Sequence, residues 1–79
     1  MTNLEKYNDV FITTFEIEEN TLGEALIYQS IKQWDSVGHM ALMAGLEEVF
    51  EIMMDTDDII DFSGYEKGKE IMSKYDVSL

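Results

Sequence analysis

Residues 33–50 read QWDSVGHMALMAGLEEVF, and this stretch decides the fold. Asp35 is a good helix N-cap, because its short carboxylate accepts from the free N–H groups of a first turn. Leu42, Leu46, Val49, Phe50 and Met53 follow at spacings of three and four, which predicts a helix with a buried stripe. Val37, Met40 and Ala44 form a second, narrower stripe beside it. One stripe suffices to bury a helix on a small core, so the second either widens the buried face or meets something outside. Glu47, Glu48 and Glu51 crowd the later turns. Gly38 and Gly45 lie inside the expected helix, where each costs roughly 1 kcal/mol relative to alanine. They mark either a close approach to the backbone or simple tolerance.

Upstream, Thr2 with Glu5 three residues later fits a capping box. Leu4, Tyr7, Val10 or Phe11, Thr14 and Phe15 continue at helical spacing, predicting a helix over about 3–15. Between Glu16 and Trp34 the periodicity fails. This long loop between helices one and two should lie across the fold, pinned by its apolar residues, with one short helical turn near Leu22 to Tyr28. Downstream, Asp55 or Thr56 can cap a short third helix over 57–62, anchored by Ile59, Ile60 and Phe62. Ser63 with Glu66 reads as another capping box, starting a last helix that runs to about Tyr75. The expected fold is all-α: a small four-helix bundle forming a single domain over 1–79. Its core is expected to include Tyr7, Phe11, Phe15, Ile27, Leu42, Leu46, Phe50, Ile59, Phe62 and Ile71. Met43, Met53, Met54 and Met72 are expected to fill core gaps, as methionines do, whereas Met40 is expected to face a partner.

Composition narrows the function. A chain of 79 residues buries only a modest core and cannot enclose a large catalytic cavity. It has no cysteine and one histidine, so thiolate and histidine-cluster metal sites are excluded. Asp55, Thr56, Asp57 and Asp58, with Asp61 and Glu66, hint at a calcium loop, but the glycine such a loop needs would fall at Ile60; no metal site is expected. Seventeen acids against five lysines give a net charge of −12, and there is no arginine. Nucleic-acid binding, which needs clustered Lys and Arg, is therefore disfavoured, and basic protein partners are favoured. No run approaches the ~20 apolar residues of a membrane span. The expectation is a cytoplasmic monomer with no membrane contact.

Ser36 admits three roles. As a catalytic nucleophile it would need a base and an orienting group. His39 is three residues on, but its imidazole is expected to project outward, and no strand-turn-helix nucleophile elbow is present; the chain is not expected to be an enzyme. As a cap, Ser36 would merely help Asp35 start the helix. As an attachment point, it would carry a group added by another protein.

The third role follows from a resemblance. Length, acidity, helix order, the Asp-Ser pair opening helix two and the two glutamates near its end together resemble the acyl carrier proteins over the whole chain. Asp35-Ser36-Val37-Gly38-His39-Met40 is similar to that family's D-S-L-x-x-V/M phosphopantetheine attachment motif, with Val37 in place of leucine. Leu42, Leu46, Glu47, Glu48 and Phe50 continue the family's helix-two pattern, while Ala41 stands where many members have glutamate. The resemblance implies a four-helix bundle of acyl-carrier type, with a 4'-phosphopantetheine arm on Ser36 carrying acyl intermediates as thioesters. It implies a phosphopantetheinyl transferase and acyl-loading and acyl-transferring enzymes with basic patches as partners. Asp35, Val37, Met40, Ala44, Glu47 and Glu48 would form the docking face. Trp34 and His39 differ from the commonest fatty-acid members, which implies a specialised biosynthetic pathway. The alternative is an acidic helical interaction domain with an unmodified Ser36.

A net charge of −12 disfavours the compact state by self-repulsion, and the same crowding should raise carboxylate pKa values. Moderate salt or magnesium should therefore raise the melting temperature, since the Debye length falls to about 10 Å at 0.1 M. A melting temperature that stays flat or falls on adding salt would show that repulsion is not limiting.

Overall fold

The computed structural model describes all residues from Met1 to Leu79. Its four helices are α1 (Asn3–Phe15), α2 (Ser36–Phe50), α3 (Thr56–Asp61) and α4 (Tyr65–Ser73), and there is no strand. The chain folds as a small helical bundle with a short third helix, as the periodicity predicts.

The Thr2–Glu5 capping box forms, with the Thr2 side chain accepting from the Glu5 N–H and the Glu5 carboxylate accepting from the Thr2 N–H. Spacings of four then put Tyr7, Phe11 and Phe15 on one face, all fully buried. Phe11 is their hub. Its ring lies 5.0 Å from Tyr7, 5.3 Å from Tyr65 and 5.7 Å from Trp34. The Tyr7 hydroxyl donates to the Tyr65 carbonyl at 2.7 Å. Burial pushes its pKa far above the usual phenol range, so Tyr7 stays a neutral donor.

The connection over residues 16–35 departs from expectation. Its helical turn is a 3₁₀ turn at Glu19–Thr21, not a turn near Leu22 to Tyr28. Ile27 instead forms an isolated antiparallel bridge with Gly64 before α4: the Tyr65 N–H donates to the Leu26 carbonyl at 2.9 Å, and the Tyr28 N–H to the Ser63 carbonyl at 2.8 Å. The bridge leaves Leu26 pointing into the core and Ile27, expected there, half exposed. Trp34, at the end of the same connection, is fully buried.

The inward face of α2 is Leu42, Met43 and Leu46. The expected stripe was wrong in phase beyond Leu46: Phe50 is only half-buried, and Val49 and Met53 are exposed. Met43, Met54 and Met72 do fill the core, whereas Met53 faces solvent. Ile59, also expected in the core, packs only partly against it.

α4 starts at Tyr65 with Gly64 as N-cap and no side-chain cap bond, so the expected Ser63–Glu66 box does not form. Ser63 lies one residue too early, inside the bridge to the first connection. The helix also ends at Ser73 rather than Tyr75. Beyond it, Tyr75 and Lys74 turn back onto α3. The Tyr75 hydroxyl donates to Asp58 at 2.5 Å, Lys74 to the same carboxylate at 2.9 Å, and the Asp55 N–H to the Tyr75 hydroxyl at 2.9 Å. Tyr75 and Lys74 hold the Asp58 carboxyl below the usual carboxylate range. The Thr2 backbone likewise lowers Glu5. At both positions local hydrogen bonds outweigh desolvation, so these two carboxylates move opposite to the rise expected from crowding.

Both α2 glycines are close approaches rather than tolerated defects. A Cβ on Gly45 would come within 2.9 Å of Val10 on α1. A Cβ on Gly38 would land 1.9 Å from the backbone carbonyl oxygen of Gln33, which could make way only by a shift of the main chain. Helix propensity alone makes Gly38→Ala stabilising. The clash reverses the sign, and the variant should lose about 1–3 kcal/mol in urea denaturation. A variant more stable than the parent would show that the segment around Gln33 yields freely.

Candidate functional site

Ser36 is the first residue of α2 and is exposed. Asp35 caps the helix as expected, its carboxylate accepting from the Gly38 N–H at 2.8 Å. The Ser36 and Val37 N–H groups lie in the first turn, where the helix supplies no carbonyl for them. The Ser36 hydroxyl lies 3.2 Å from that of Tyr28. The backbone bridge at Ile27–Gly64 delivers Tyr28 to this place, and its ring meets Trp34 and His39 edge-on at 6.5 Å and 5.6 Å.

His39 does not project outward. It is half-buried, and the Trp34 indole N–H donates to its Nδ1 at 2.9 Å. Its Nε2 faces the Ile59 carbonyl of α3 at 2.7 Å. An indole nitrogen can only donate, so Nδ1 must accept and Nε2 must carry the proton. Both nitrogens are committed, and neither is bonded to Ser36. The only side chain bonded to the Ser36 hydroxyl is another hydroxyl.

Ser36 opens onto an apolar cleft of about 360 Å³ between α2 and α3. Tyr28, His39 and Met40 line it on one side, Ile59, Ile60, Phe62 and Ser63 on the other. Of these, only Ser36 and Met40 were among the expected site residues. The signal for His39 was present: a buried tryptophan needs an acceptor for its N–H, and the one histidine stands five residues from the one tryptophan. Tyr28 and the α3 residues arrive through tertiary contacts that no local pattern encodes.

The expected docking residues divide. Asp35, Val37, Met40, Ala44 and Glu48 share an open surface of α2, with Val37 79% and Met40 56% exposed. Glu47 does not belong with them. It is half-buried, and its carboxylate accepts from the Met54 N–H at 2.9 Å, tying the end of α2 to the loop before α3. No lysine lies between residues 33 and 66, so α2 and α3 carry acids and no lysine of their own, and Lys74 from beyond α4 pairs with Asp58 of α3. No helix is long and apolar enough to cross a membrane.

Compared with protein-family models, curated proteins and solved structures, the chain matches none.

The two neighbouring glutamates should respond differently to the same change. Glu47→Lys removes a charged acceptor from a partly buried N–H and should cost about 1 kcal/mol. Glu48→Lys changes only exposed surface and should stay within about 0.5 kcal/mol. Equal thermal stabilities for the two variants would show that the Glu47–Met54 bond contributes nothing.

Proposed function

We propose that this chain is an acyl carrier protein: Ser36 receives a 4'-phosphopantetheine arm, whose terminal thiol carries acyl intermediates as thioesters for a specialised biosynthetic pathway. One observation carries the proposal: an exposed serine hydroxyl at the first turn of a helix, at the mouth of an apolar cleft, without a base to activate it. His39, the sole imidazole, spends both nitrogens on Trp34 and Ile59. A hydrolase needs its base on the serine; a carrier needs only that the serine be reachable.

The covalent step is then supplied from outside. A phosphopantetheinyl transferase removes the Ser36 proton, and Oγ attacks the pantetheine-bearing phosphorus of coenzyme A. The Oγ–P bond forms as the P–O bond to the nucleotide half breaks, and the nucleotide bisphosphate leaves. The phosphodiester comes to rest beside the unpaired N–H groups of the α2 first turn, where the helix dipole favours an anion. The open apolar residues Val37, Met40 and Ala44, with Asp35 and Glu48 beside them, suit partner enzymes with basic docking patches. Glu47 supports that surface from behind.

Intact mass after co-expression with a broad-specificity transferase tests this. The parent should gain the mass of one arm. Ser36→Ala should gain nothing while keeping its stability within about 0.5 kcal/mol, because the side chain is exposed. Met40→Ala should slow arm transfer about fivefold, the effect of losing roughly 1 kcal/mol of apolar contact. A parent left unmodified would favour an acidic interaction domain instead.

A further inference from the structure

We propose that the cleft beside Ser36 is a pocket for a short, compact acyl group, and that His39 is the residue that limits the length it accepts. This rests on the carrier function proposed above and adds a substrate class to it.

The cleft is shallow along α2. Its lining on that helix falls within Ser36–Met40, a rise of about 6 Å at 1.5 Å per residue. The next residue on the same face is Met43, four beyond His39, and it is buried in the core outside the cleft. Below, Trp34 and Phe62 fill the interior, with 0% and 1% exposure. A space of about 360 Å³ holds about a dozen water-sized atoms. The thioester and the adjoining end of the arm occupy several of those places. What remains suits an acyl chain of about six carbons or fewer.

His39 makes this limit firm. It stands between Ser36 and Met43 along the helix face, where a longer chain would have to pass. Its ring lies beside Trp34, nearly parallel to it at an interplanar angle of 16°, and meets Phe62 edge-on. Swinging it aside would leave the Trp34 N–H without its acceptor and the Ile59 carbonyl without its donor. A methionine or leucine at this position would yield to an incoming chain; a doubly bonded imidazole does not. The rim carries the hydroxyls of Tyr28 and Ser63, which offer partners to an oxygen-bearing short acyl group and nothing to a long hydrocarbon chain.

The test loads the protein from acetyl-, butyryl-, hexanoyl-, octanoyl-, decanoyl- and dodecanoyl-coenzyme A with the transferase. Intact mass confirms each product, and thioester cleavage by hydroxylamine is then timed. Butyryl should be cleaved about 15-fold more slowly than acetyl, the factor expected from burying two methylenes. Protection should level off near hexanoyl. His39→Leu should move the plateau to octanoyl or beyond. His39→Gln, which keeps an acceptor for Trp34 and a donor for Ile59, should keep the parent profile. On the parent itself, nuclear Overhauser contacts should place the butyryl methyl against His39 and Phe62, and the decanoyl methyl against neither Met43 nor Trp34. This last measurement decides the matter even if the leucine variant does not fold. Protection that is flat across all lengths, or that climbs through dodecanoyl, overturns the size limit. A folded leucine variant with an unchanged plateau overturns the role of His39. Failure of Ser36 to take any arm would show at the mass step and would count against the carrier function instead.

Discussion

The hydrogen bond from the Trp34 indole to His39 is the contact on which the rest of the site depends. It joins the end of the first connection to α2 and, through His39, to α3. Trp34 belongs to the connection before α2 and packs on Phe11 and Phe15 of α1 at 5.7 Å and 5.2 Å. His39 belongs to α2 and passes the link to the Ile59 carbonyl of α3. α3 has only six residues, far fewer than the roughly 12–15 that an isolated helix needs to be even marginal in water. Its position is therefore tertiary in origin: His39 holds one end, and Asp58, bound by Tyr75 and Lys74, holds it to the chain after α4. The cleft exists because α3 is held at its end and along its side while the ground between it and the start of α2 is left unfilled.

The first connection does the other half of the positioning. Twenty residues without a regular helix would be costly to order if they only closed a loop. Here they gain a backbone bridge to the α4 entry, a buried leucine and a buried tryptophan. The register of that bridge has a functional consequence. The bridge leaves Leu26 inward and Ile27 outward, and the turn that follows puts Tyr28 over the mouth of the cleft, against Ser36. A slip of one residue would exchange these faces and would remove the hydroxyl from the serine.

Much of this was legible in the sequence, and what was not has specific causes. The start of α1 and the cap at Asp35 could be read because capping is local chemistry. The phase of α2 could not, because the helix is apolar nearly all round: Val37, Met40 and Val49 are as hydrophobic as Leu42, Met43 and Leu46, and only the packing decides which go inside. Helix ends were obscured for another reason. The end of α1 near Phe15 was read correctly, but α2 stops at Glu51, left-handed with φ of 54°, where a reader looks for glycine or asparagine. Ser63 and Glu66 satisfied the capping pattern and yet were not a cap, because the carbonyl of Ser63 was already claimed by Tyr28. The serine at the centre of the site was readable as an exposed helix-start residue. Its cleft was not, since Tyr28, Ile59, Ile60 and Phe62 come from outside the helix that carries it.

The two faces of α2 explain why a helix should be apolar on both sides. The inner face is committed to the core through Leu42, Met43 and Leu46. On the outer side Val37 and Met40 remain in water, where each leaves apolar area unburied at roughly 25 cal/mol per Å². Asp35 and Glu48 are exposed on the same helix face, and no lysine occurs between residues 33 and 66. Such a surface is a poor place for two copies of this chain to meet, because like charge would face like. It is a good place for a basic partner, drawn by the acids at long range and held by the apolar strip at contact. The Ser36 hydroxyl at its end is bonded only to the Tyr28 hydroxyl, and in the proposed carrier role the base for its modification comes from the partner. On the carrier function proposed here, docking and modification are therefore a single event: the surface that attracts the enzyme begins at the atom the enzyme must reach.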